Sequence, residues 1–81
     1  MQTLYDLKLG ESAKIKQINC NPNIKRRMMD LGIIDGTTIT PILKSPAGNP
    51  RAYEVRGSII AIRNEDAKSI FIIWKIRDHH L

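Results

Sequence analysis

Metal-ligating and nucleophilic side chains are scarce in this chain. Its 81 residues hold one cysteine, Cys20, and two histidines, the adjacent His79 and His80. A lone cysteine cannot close an intramolecular bridge, and it has no second thiolate with which to bind zinc. Small secreted domains ordinarily lean on several disulfides, so a reducing, cytoplasmic setting is expected. Adjacent histidines in a strand point to opposite faces. Asp78-His79-His80 therefore reads as a frayed polar tail rather than a chelate. The eight acidic residues are scattered and suggest no binuclear carboxylate site. No histidine neighbours Cys20 in the sequence, so it reads as an inert, partly buried thiol. Gly32, Gly36, Gly48 and Gly57 are isolated turn glycines, unlike the closely spaced set that cradles phosphate. These gaps leave no constellation for catalysis, and the chain reads as a non-enzyme without a cofactor.

Long apolar runs are missing as well. The longest, Ile70 to Trp74, is far short of the roughly 20 residues that span a bilayer. The opening Met1-Gln2-Thr3-Leu4-Tyr5-Asp6 has no basic segment and does not read as a secretory leader. Any membrane role is thus expected to run through a partner. Aromatic rings are few: Tyr5, Tyr53, Phe71 and Trp74. That weighs against a base-stacking platform for nucleic acid.

Positive charge is plentiful. The formal net charge is +5 and the pI about 9.7. Only Lys25-Arg26-Arg27 forms a run; the other cations are spread along the chain. A basic small barrel that binds nucleic acid is the alternative this charge raises, with a solvated basic face as the plainer reading.

The chain reads as one domain over residues 1–81. Leu4, Leu7 and Leu9 alternate with polar residues and are expected to plug one end of a core. Ala13 to Ile18 reads as a strand. Asn21-Pro22-Asn23 signals a helix start, and Gly32 a stop, so a helix is predicted from about Pro22 to Leu31. Ile24, Met28 and Leu31 make its apolar stripe. Met29 lies beside that stripe. Thr37 to Leu43 is β-branched, with Pro41 implying an edge position or a bulge. After the Pro46–Pro50 loop, two strands flank a tight Gly57-Ser58 turn. Asn64 to Ala67 reads as a helical turn, and Ile70 to Ile76 as the last strand. About five strands with an inserted helix suggest a small closed or nearly closed barrel, since closure removes exposed edges.

An ordered series of motifs carries a resemblance. The chain has Leu31-Gly32 at the helix end, Gly36-Thr37 at a strand start and Pro46-Ala47-Gly48-Asn49-Pro50 in a loop. Gly57, Ala61-Ile62-Arg63 and Glu65-Asp66-Ala67 follow. In this order it resembles the FeoA family over nearly its whole length. It departs from the family pattern at Asp35, Ala47 and Asn49, where proline, leucine and aspartate are usual. Met28-Met29 replaces a leucine pair, and Pro41 interrupts a strand. The resemblance implies an SH3-like barrel with inserted helices, acting in ferrous iron transport on the cytosolic part of a FeoB-type GTP-binding permease. At family level it carries transition-metal ion binding, but it implies no catalytic group and no cofactor. A metalloregulator-type context is the other setting in which this fold occurs.

A module without catalytic groups acts by binding, so its contact surface is sought in misplaced residues. Strand alternation puts Ile39, Tyr53, Val55, Ile60, Ile62, Ile70, Ile72 and Trp74 inside, and Ile42, Ile59, Phe71 and Ile73 outside. The expected partner-binding or self-association face is Met29, Ile59, Phe71 and Ile73, with Lys25, Arg26 and Arg27 steering an acidic surface. The rival reading packs Phe71 and Ile59 beneath the helix and the N-terminal turn. The scarcity of ligands sets a direct expectation: anaerobic titration with ferrous iron, followed by side-chain NMR shifts, should show no saturable one-to-one site of micromolar or tighter affinity.

Overall fold

The computed structural model describes the backbone of residues 2–76 and the side chains of residues 2–73. The Trp74 side chain and the Asp78-His79-His80 tail lie outside the described residues.

The chain opens with a 3-10 turn, Leu4–Asp6. The Thr3 amide donates to the Asp6 carboxylate at 2.8 Å and closes this turn. Leu4 and Leu7 are buried as expected, but Leu9 is exposed and does not join the plug. Strand β1, Ser12–Ile18, buries Ala13, Ile15 and Ile18 while Lys16 and Gln17 both face solvent. Strict alternation would turn Gln17 inward. A register shift against the last strand between Ile15 and Gln17 brings Ile18 in instead.

Helix α1 spans Pro22–Asp30. Asn21 caps it, its side-chain oxygen accepting from the Ile24 amide at 3.0 Å, and Pro22 fills the first position. Two hydrogen bonds close the other end: Gly32 N–H to the Met29 carbonyl and Ile33 N–H to the Met28 carbonyl. This is the Schellman pairing, with Gly32 at φ +89° supplying the left-handed residue. Its accompanying apolar contact sets which residues enter the core. Met28 and Ile33 are buried, Ile24 packs half-buried against them, and Leu31 stays 45% exposed. The expected burial of Leu31 is thus corrected. The helix stops at Asp30, so the chain turns before Leu31 completes the stripe, and Ile33 takes the inner place.

Four more strands follow: β2 Thr38–Lys44, β3 Arg51–Val55, β4 Ser58–Ile62 and β5 Ile70–Ile76. With β1 they form one antiparallel sheet in the order β4-β3-β2-β1-β5. The fold is mainly β, as expected. Pro41 lies in an interior strand, at a register shift between Pro41 and Leu43. Its missing N–H is absorbed by that irregularity, and its carbonyl accepts from Gly10. The β3–β4 turn is Arg56-Gly57, one residue earlier than the expected Gly57-Ser58. Both turn residues have positive φ, 53° and 83°, the two-residue geometry that matches strand twist. Ser58 therefore pairs with Val55 inside the hairpin. A short helix α2, Asn64–Ala67, bridges β4 and β5, and Asn49 caps its start by accepting from the Asn64 amide at 2.9 Å.

The inner face holds Ile39, Tyr53, Val55, Ile62, Ile70 and Ile72, with Ile60 only half-buried. Arg51 is there too, 5% exposed, on the inward side of β3. It donates to three carbonyls of the N-terminal turn: Leu7 at 2.9 Å, Tyr5 at 2.9 Å and Leu4 at 3.4 Å. The rings of Tyr5 and Tyr53 flank the guanidinium, with centroids 5.2 and 5.4 Å away. The Leu4 carbonyl also accepts from the Leu7 amide, while carbonyls at a helical C-terminus generally lack partners and carry partial negative charge. They and the two π-faces replace much of the water that a buried cation loses, although Nε keeps no partner among the described residues. Replacing Arg51 with alanine should therefore lower unfolding stability by about 3 kcal/mol, since it leaves carbonyls unpaired and a void behind. Arg51→Lys should lose less, because one ammonium keeps the charge but not the fork geometry. Urea unfolding of the two variants checks this; an unchanged midpoint in Arg51→Ala would rule out the tie.

Candidate functional site

A groove of about 410 Å³ runs between α1 and β4. Ile24, Arg27, Met28 and Leu31 form one wall at i, i+3, i+4 and i+7 spacing, a single helix stripe. The other wall is continuous chain from Ile59 through Ile60, Ala61 and Ile62 to Arg63. Side chains of neighbouring strand residues point to opposite faces. A run of consecutive residues can line one groove only along the strand's edge, where the backbone itself is presented. Ile33 and Pro50 complete the lining.

The groove is lined mainly by apolar side chains, with two arginines and one aspartate, Asp66, among them. Ile59 is 68% exposed and Leu31 almost half. Arg27 stands on the helix side and Arg63 at the far end. Arg63 approaches Asp66 at only 3.9 Å and is largely in water, so the pair holds it weakly.

The residues expected to form one partner face are divided. Arg27 and Ile59 share the groove. Lys25 and Met29, the latter 51% exposed, line a separate shallow recess with Ile18, Ile34 and Asp35. Arg26 is exposed on α1 outside both, and Ile73, 51% exposed, projects from β5. Phe71 lies on the outer face, between the buried Ile70 and Ile72, and is half-buried there. The extended N-terminal segment lies along β5 there: Thr3 bridges Phe71, and the Gln2 carbonyl accepts from the Ile72 amide. Ile42 is half-buried too. Leu31, Pro50, Arg63 and Asp66 join the groove without having been singled out. For Leu31 a signal existed, because Gly32 directly after it marks a helix stop whose inward residue lies beyond the glycine.

Among the described residues no three His, Cys, Asp or Glu side chains cluster as a metal ion would require. Cys20 sits half-buried, its thiol 3.7 Å from the Asp66 carbonyl. Burial pushes this thiol above its ordinary pKa, and the nearby Asp66 charge adds to the effect. Less thiolate means a weaker nucleophile. Alkylation of Cys20 by iodoacetamide near neutral pH should therefore run slower in the native chain than in urea. Equal rates would show an exposed, unshifted thiol.

Comparison with known proteins places this geometry. The model of the FeoA domain matches residues 2–73. A Porphyromonas gingivalis protein named as a fusion of Fe(2+) transport protein A and the Fe(2+) transporter FeoB is 28% identical over 67 residues; the match covers 83% of this chain and 8% of that protein. The chain is therefore similar to a small part of that much longer relative. The solution structure of FeoA from Chlorobium tepidum superposes with a TM-score of 0.84 at 28% identity, over 88% of this chain and 68% of that one. FeoA of Stenotrophomonas maltophilia, solved in complex with zinc and described as a prokaryotic SH3 domain protein, gives 0.74 at 29% identity, over 89% of each chain. The five-stranded sheet with its inserted helix is thus an SH3-like barrel, and the chain belongs to the FeoA family.

Proposed function

We propose that this chain is a cytosolic accessory module of ferrous iron uptake that binds the cytosolic region of a FeoB-type permease through the α1–β4 face. The observation that carries the reading is the relative in which a matching segment and the transporter are one polypeptide. Fusion holds two partners at high effective concentration, and it suits pairs that otherwise meet by binding. The site's chemistry agrees. No helix among the described residues is long and apolar enough to cross a membrane. The groove offers apolar surface beside two arginines rather than an acid–base or nucleophile–base pair.

Ile59 is the centre of the proposed contact. A partner that covers it gains roughly 1.5–3 kcal/mol over leaving it in water. Arg27 steers an acidic surface toward the groove, and Lys25 and Arg26 add to the same field from the helix. Met29 and Ile73 face elsewhere and are proposed as peripheral; Phe71 is assigned to packing under the N-terminal segment.

Titration calorimetry of the chain against the purified cytosolic region of the permease from the same organism tests this. Ile59→Asp should weaken association about tenfold or more while leaving the thermal midpoint nearly unchanged, because the side chain is already exposed. Met29→Asp should change affinity little. The face is misassigned if Met29→Asp is the damaging variant, and the function itself if the unmodified chain does not bind.

A further inference from the structure

Strand β4 is an end of the sheet. Terminal strands present a row of unpaired backbone groups, and proteins usually blunt them with charge, proline or a bulge. Here the strand reads Ser58-Ile59-Ile60-Ala61-Ile62, without a charge or a proline, and its pairing with β3 is regular from end to end. An edge of this kind invites another strand.

The hairpin's register says which groups are on offer. In a two-residue hairpin the residues flanking the turn, Val55 and Ser58, are the hydrogen-bonded pair, and bonded pairs alternate from there. Ile60 and Ile62 thus bond inward to Tyr53 and Arg51. The N–H and C=O groups of Ile59 and Ala61 point away from β3, and among the described residues no hydrogen bond engages them. They face the channel whose opposite wall is the helix stripe. From Ile59 to Arg63 the edge runs roughly 13 Å.

We propose that the partner donates an extended segment that adds to β4 as a strand. It pairs with the backbone of Ile59 and Ala61 and lays alternate apolar side chains against Ile24, Met28 and Leu31. The inference rests on the partner reading above and adds the mode of recognition. Charge complementarity selects the occupant: Arg27 in the helix wall and Arg63 just past β4 outnumber the one acid in the lining, Asp66, and suit a segment that carries acidic residues. A second copy of this chain, itself carrying net charge +5, is disfavoured by like-charge repulsion.

Amide hydrogen exchange on the full chain, with and without the permease's cytosolic region, reads the mode directly. The amides of Ile59 and Ala61 should slow about tenfold or more on binding, whereas Ile60, already bonded, should change little. Ala61→Pro removes one outward donor at a place where an edge strand tolerates proline. It should weaken binding about tenfold or more, while Ala61→Val binds as the unmodified chain does. If the complex forms with unchanged exchange at Ile59 and Ala61, strand addition is wrong although the partner reading stands. If the unmodified chain forms no complex, both fall. Protection that appears on concentrating the chain alone would make a second copy the occupant and overturn the acidic-partner assignment. Should Ala61→Pro fail to fold, the exchange pattern of the unmodified chain still decides.

Discussion

The guanidinium of Arg51 is the hub on which this small barrel turns. It comes from the first position of β3, yet its hydrogen bonds all go to carbonyls of the N-terminal turn. The turn's leucines, Leu4 and Leu7, then close one end of the core. From that anchor the preceding residues run along β5, where Gln2 and Thr3 cover part of its outer edge. A domain of this size buries a modest core. A cation that collects three carbonyls between two aromatic rings ties the N-terminal turn to β3 without a disulfide. It also acts on Tyr53: burial raises that phenol's pKa, and the adjacent guanidinium opposes the rise.

One end of the sheet is thereby covered and the other left open. The N-terminal segment lies on β5, but β4 borders a groove. The helix across that groove owes its position to the stop at Gly32. Because the chain reverses there, Ile33 enters the core and Leu31 remains on the wall. The same turn that completes the core also shapes the apolar surface proposed for the partner.

Local grammar was legible in the sequence. Asn21-Pro22 starts the helix, Gly32 ends it, and the β-branched runs become strands, because caps, turns and alternation depend on nearest neighbours. The last strand and the short helical turn fall on the residues expected for them. What the sequence could not convey is pairing across distance. The turn at Arg56-Gly57, the bulge that brings Ile18 inward and the half-burial of Phe71 all depend on which strand or segment lies alongside. Arg51 shows the limit most plainly: an arginine next to a proline loop looks like a solvated cation until the carbonyls of residues more than forty positions earlier close around it. Composition, caps and strand periodicity thus determined that this chain is a small β module with one inserted helix. Only the tertiary structure decided which apolar residues share a surface, because a groove belongs to two elements at once and neither one's periodicity encodes the distance between them.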